Sequence, residues 1–209
     1  MPSCPKRQLI WVPIVHSQAD MGSMGERVRE VYLRRVGQRT WDEHLQMVAE
    51  MWRHIRDKID RLGLDCERLW LFQDGLPNCG HEAPIVRDLA KAGSANHQLV
   101  LDLMAKGARV VGTESPELLL EEYELMRQML VAPDPAEPHS ARLRRRELSR
   151  ELLAKRDRYI AKRIGETLQP GDTGLLFLGM LHSVEEHLAP DIEVIRLPLP
   201  PDIPQSKES

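Results

Sequence analysis

Five short apolar runs punctuate the chain: Gln8–Val15, Leu69–Phe72, Ala108–Gly112, Gly174–Gly179 and Ile192–Leu197. The first, third and fourth are nearly continuous in hydrophobic character, as expected of strands covered on both faces. Between the runs the periodicity becomes helical. Leu45, Val48, Trp52, Ile55, Ile59 and Leu62 follow one another at steps of three or four residues, which predicts an amphipathic helix ended by Gly63. Ser115 and Pro116 supply an N-cap and a first-turn proline for a helix running to about Leu130. A proline-rich break at residues 132–138 precedes a longer helical stretch, one helix or two, over about His139–Leu168. Strands alternating with helices predict an α/β fold. The expected architecture is a single domain with a mostly parallel central sheet covered by helices, its site at the C-terminal ends of the strands. The domain is expected to span residues 1–196, with the proline-rich polar stretch 197–209 set apart as a flexible tail.

Composition narrows the class without changing that picture. The chain has 209 residues and 24.0 kDa, is 42% hydrophobic and 29% charged, and is long enough to bury a sizeable core. No internal repeat of solenoid period is present. No apolar run approaches the ~20 residues of a membrane-spanning helix, and the apolar stretch near Leu9 reads as a strand rather than a signal peptide. Three cysteines (Cys4, Cys66 and Cys79) at unrelated spacings argue against a disulfide framework and fit a reducing cytoplasm. A net charge of −3 and a pI near 6.3 exclude a generally basic nucleic-acid binder. The charge is unevenly spread: Arg142–Arg163 holds ten Lys or Arg against three acids. Such a run reads first as a solvated helix face, and second as a surface for an anion or a partner.

The predicted strand ends hold the chemistry. In open parallel sheets reactive groups gather beyond the carboxyl ends of the strands, where the loops converge. The first strand runs into His16, the second into Asp74 and then His81, the third into Glu114, and the fourth into Gly179-Met180-Leu181-His182. Imidazoles and carboxylates brought together suit a divalent metal of the Mn, Co or Zn type, or a general acid and base without one. Local roles compete with these: Asp74 suits an Asx-turn before Gly75, and Glu114 suits the positive end of the following helix. No His-Glu-x-x-His or Cys-x-x-Cys spacing occurs, so any ligands come from distant segments.

The long helix adds an acid where none is expected. Asp157 falls within the apolar stripe of Leu153, Ile160, Ile164 and Leu168, with Arg156 at its edge. A carboxylate buried alone costs several kcal/mol. Asp157 is therefore either one half of a buried structural pair or a charge given to the site. Weaker candidates are the Gly22-Ser23-Met24-Gly25 turn, which could cradle an anion at a helix start, and the Cys79–His81 neighbours. His44, His54 and His97 lie on or beside helix faces and read as surface residues rather than ligands.

The segment Lys155-Arg156-Asp157-Arg158-Tyr159-Ile160-Ala161, followed by Gly174-Leu175-Leu176-Phe177-Leu178-Gly179-Met180-Leu181-His182, resembles the TraB/Tiki superfamily, which includes erythromycin-esterase-like and ChaN-like proteins. His16 matches that group's first histidine and Glu114 its central acid. Arg156-Asp157 match its helix pair, and Gly179 with His182 its second Gly-x-x-His. The first motif departs from the family, with Pro13 standing where a glycine is usual, so the first half of the site can differ in shape. The resemblance implies an α/β fold, a central site and, in some members, metal-dependent hydrolysis; haem association is suggested for one branch.

The resulting expectation is a cytoplasmic hydrolase acting on a small-molecule or peptide-like substrate. His16, Glu114 and His182 bind a divalent metal or activate water, and Asp74 or His81 completes the shell. Arg156 stabilises an oxyanion or holds a substrate carboxylate, and Asp157 orients a histidine or the arginine. The rival is a non-catalytic metal- or haem-binding or regulatory module on the same fold. A homodimer is compatible with either; a nucleic-acid or membrane partner is not expected.

Overall fold

A computed structural model describes residues 6–15, 25–130 and 139–199. Five parallel strands form one sheet in the order β3-β2-β4-β1-β5: β1 (Arg7–Ile14), β2 (Leu69–Gln73), β3 (Arg109–Val110), β4 (Thr173–Gly179) and β5 (Ile192–Arg196). Helices α1 (Gly25–Arg61), α2 (Glu82–Lys91), α3 (Ala95–Ala105), α4 (Pro116–Leu130) and α5 (His139–Thr167) connect them. The fold is α/β, and no described helix is long and apolar enough to cross a membrane.

The continuous apolar character of the central strands has a direct cause. Alternate residues point to opposite faces, and both faces are covered. Ile10, Val12, Leu71, Leu175 and Phe177 pack with α1, α2 and α3 on one side. Leu9, Trp11, Phe72, Leu176 and Leu178 pack with Ile160, Ala161 and Ile164 of α5 on the other. Gly174 lies in this packing because a Cβ there would meet Leu9 and Phe72 side chains at 2.8 and 3.1 Å.

Several boundaries differ from the sequence reading. The predicted helix around Leu45–Leu62 begins far earlier, at Gly25, and is broken at Gly37, whose φ of 83° only glycine adopts readily. Its buried stripe is Val48, Met51, Trp52, Ile55 and Ile59, while Leu45 and Leu62 are exposed at either end. The third strand shrinks to Arg109–Val110. Beyond it the loop at Asn78 presses onto Gly112, where a Cβ would sit 2.2 Å from the Asn78 Cα. Because the obstacle is backbone, Gly112→Ala is expected to lower stability by ~1–3 kcal/mol, read as the shift in a urea-unfolding midpoint; an unchanged midpoint refutes the close approach. Leu197 and Leu199, from the stretch expected to form the tail, are buried in the core, and the Leu197 N–H donates to the Trp11 carbonyl at 2.8 Å.

The topology also sets where side chains can converge. The chain leaves β2 toward β3 but leaves β4 toward β5, so the connections of these two neighbours part in opposite directions. Such a divergence opens a crevice beyond the strand ends. Here it falls between Gln73-Asp74 and Gly179-His182.

Candidate functional site

Asp74 follows β2 directly, and its N–H donates to the Phe177 carbonyl at 2.9 Å, continuing the ladder by one residue. Gly75 then turns with φ 73°. On the neighbouring strand, Gly179 ends β4 and donates its N–H to Asp74 Oδ2 at 3.0 Å. A Cβ on Gly179 would lie 3.2 Å from that oxygen, tighter than an ordinary contact, so glycine suits the position. The His182 N–H donates to the Gly179 carbonyl at 3.3 Å, a tight turn that brings the imidazole back over the strand ends.

His182 is 8% exposed and is paired with the long helix. Its Nδ1 lies 2.5 Å from Asp157 Oδ1, and Asp157 Oδ2 accepts the Ser183 N–H at 2.9 Å. A carboxylate oxygen accepts from a ring N–H, so the contact orients the imidazole through Nδ1 and turns Nε2 away from Asp157. Nε2 lies 3.7 Å from Asp74 Oδ2, beyond hydrogen-bond reach. Of the two roles open to Asp157, the geometry gives it the orienting of a histidine.

Arg156, 3% exposed, occupies the centre. Nη2 donates to Asp74 Oδ1 at 2.8 Å and to Glu114 Oε1 at 2.5 Å, and Nε donates to Glu114 Oε2 at 3.0 Å. Nη1 donates to Glu122 of α4. Glu114 is held by its backbone as well: its carbonyl accepts the Asn78 N–H at 2.8 Å and its N–H donates to the Leu76 carbonyl at 3.0 Å. Burial pushes the Glu114 carboxyl above its ordinary range, the Arg156 guanidinium pulls it back, and the nearby Asp74 charge pushes it up again. Burial alone would lower Arg156, but Glu114, then Asp74 and Glu122, outweigh it and hold the guanidinium above its usual value.

This arrangement changes the expected role of Arg156. Four of its five N–H donors are taken up by protein carboxylates, so it is first a clamp on Asp74, Glu114 and Glu122. Glu122 was not singled out by sequence. It sits on a helix with several other glutamates, and only the packing of α4 beside α5 selects it. His81 is exposed at the start of α2 and takes no part in the hydrogen bonds of the cluster; there Glu82 accepts the N–H groups of Cys79 and Gly80. His97 is buried rather than superficial, with Nδ1 2.7 Å from Ser94 Oγ. His16 and the Gly22–Met24 part of the glycine turn lie outside the described residues.

Of the expected metal shell, the described members Glu114, His182 and Asp74 can be tested on their donors. Both Glu114 oxygens and one Asp74 oxygen are bound by a guanidinium that cannot give up its proton, and a divalent ion there would face a fixed positive charge. Among the described residues, no group of three His, Cys, Asp or Glu side chains is placed to hold a metal ion. These residues therefore do not fit a metal shell as arranged. Nor do they fit an axial haem ligand, because His182 Nε2 faces a carboxylate rather than an open apolar slot. Comparison of the chain with protein-family profiles, with curated proteins and with solved structures finds no match.

Proposed function

We propose that this chain is a hydrolase of the cytoplasm that acts on a small ester, amide or peptide-like substrate, with His182 as the general base. The observation that supports this reading is the buried Asp157–His182 pair at the point where the connections of β2 and β4 diverge, with Nε2 on the side of Asp74, 3.7 Å from its Oδ2. The resemblance to the TraB/Tiki superfamily points the same way. In this reading Nε2 takes a proton from water as its oxygen adds to the substrate carbonyl. Asp157 stabilises the imidazolium, which then returns the proton to the departing alcohol or amine. Water and substrate thus become an acid and an alcohol or amine. Arg156 positions Asp74 and Glu114 at the edge of the crevice. Leu181, exposed beside His182, offers an apolar contact to the substrate.

A second reading, a non-catalytic module in which the network only fastens the strand ends, is favoured by one observation: His182 is itself nearly buried. The test separates the two. The chain is incubated with activated esters, aryl amides and dipeptides, with chelator and with added Mn, Co or Zn. Turnover with chelator present supports the proposal. Turnover only with metal replaces it by metal-dependent hydrolysis, and none under any condition overturns it in favour of the module.

A further inference from the structure

The hairpin of α4 and α5 presents an apolar surface that no described residue covers. No side chain of α4 from Pro116 to Met129, nor of α5 from His139 to Glu151, is buried. Yet that part of α4 holds seven large apolar residues, among them Leu120, which is 71% exposed. Leu143 and Leu148 of α5 are exposed as well. Between the two helices runs a groove of about 790 Å³, floored by Leu120, Leu125, Leu148 and Leu152. Contiguous apolar surface of this kind, rimmed by charge, marks a protein interface.

The charges specify the occupant. Four carboxylates (Glu117, Glu121, Glu124 and Glu151) and one ammonium, Lys155, rim the groove, and with Glu124 paired to Arg127 at 2.9 Å it is still acidic on balance. The other end of the hairpin is strongly basic: the first turns of α5, residues 139–150, hold five arginines against one glutamate. Those turns also hold Leu143 and, near their end, Leu148, where the tip meets the groove, so the tip is a cationic amphipathic helix of the type an acidic apolar groove accepts. We infer that the α4–α5 hairpin is a homodimer interface. A second copy lies antiparallel, its basic tip on the acidic groove of the first, to make a four-helix bundle about a two-fold axis. Antiparallel docking sets each basic tip on an acidic groove twice over; parallel docking sets like charges together, which costs affinity.

Charge exchange tests both the surface and its polarity. The wild-type chain is expected to sediment as a dimer and to weaken as salt is raised. Two variants are made, one with Glu117, Glu121 and Glu124 changed to Lys, the other with Arg142, Arg144 and Arg146 changed to Glu. Each alone opposes like charges and should run as a monomer with an unchanged far-ultraviolet spectrum. Mixed, they restore opposite charges at both contacts and should form a one-to-one heterodimer. Leu120→Glu combined with Leu148→Glu should give a monomer that mixing does not rescue. A wild-type monomer across the accessible concentration range overturns the inference. So does a dimer that survives all these changes, or a pair of charge variants that fails to combine on mixing.

Discussion

Replacing His182 with asparagine is expected to lower hydrolytic turnover by about 10²–10⁴-fold, the usual contribution of a general base. The substitution is chosen for its side chain. Asparagine can still donate an N–H to Asp157, so the carboxylate keeps a partner, but it offers no basic nitrogen toward the crevice. Alanine would remove the base and also leave Asp157 with only the Ser183 N–H, adding a stability loss of ~1–3 kcal/mol for the buried carboxylate. Comparing the two by kcat/KM and by urea unfolding separates chemistry from folding. Wild-type turnover in either variant removes His182 from the mechanism. Asp157→Asn should also lower turnover, because an amide at that position neither fixes the tautomer nor stabilises the imidazolium.

The largest effect on stability is expected at Arg156. Substitution by methionine keeps the aliphatic stem and removes the cation, leaving Glu114 and Asp74 buried without their main partner. Breaking a buried ion pair from one side costs ~3–5 kcal/mol, which for a chain of this size lowers the thermal midpoint by roughly 6–20 °C. If Glu114→Gln is added, the further loss should be smaller than the loss from Glu114→Gln alone, since the acid already lacks its counter-ion. Calorimetry on the four members of this cycle checks the claim; strict additivity would mean that Arg156 and Glu114 do not act as a unit.

Much of the fold was legible because burial on both faces writes itself into the sequence. The strand at Gly174–Gly179 and the helix opening at Ser115-Pro116 follow from residue type alone. The shortening of the third strand was not legible, since it depends on Asn78 closing against Gly112 from another part of the chain. The early start of α1 was hidden for a different reason: residues 25–40 are largely polar and contribute little buried surface.

In the site, sequence reasoning could see that an aspartate in an apolar stripe needs a partner, but not which partner. The Asp157–His182 contact joins a helix to a loop 25 residues away, and no spacing rule predicts it. The clamp that Arg156 makes was hidden for a related reason. A fork of donors suggests a bound anion until the structure shows three protein carboxylates on four of its five N–H groups.

One consequence of that fork reaches beyond the crevice. A single guanidinium joins the ends of two strands to both members of the helical hairpin, so none of the four can drift without disturbing the rest. The neighbourhood of the imidazole behaves as one mechanical joint, set or released as a whole. Through Glu122 that joint extends to α4, the helix whose outer face carries the groove.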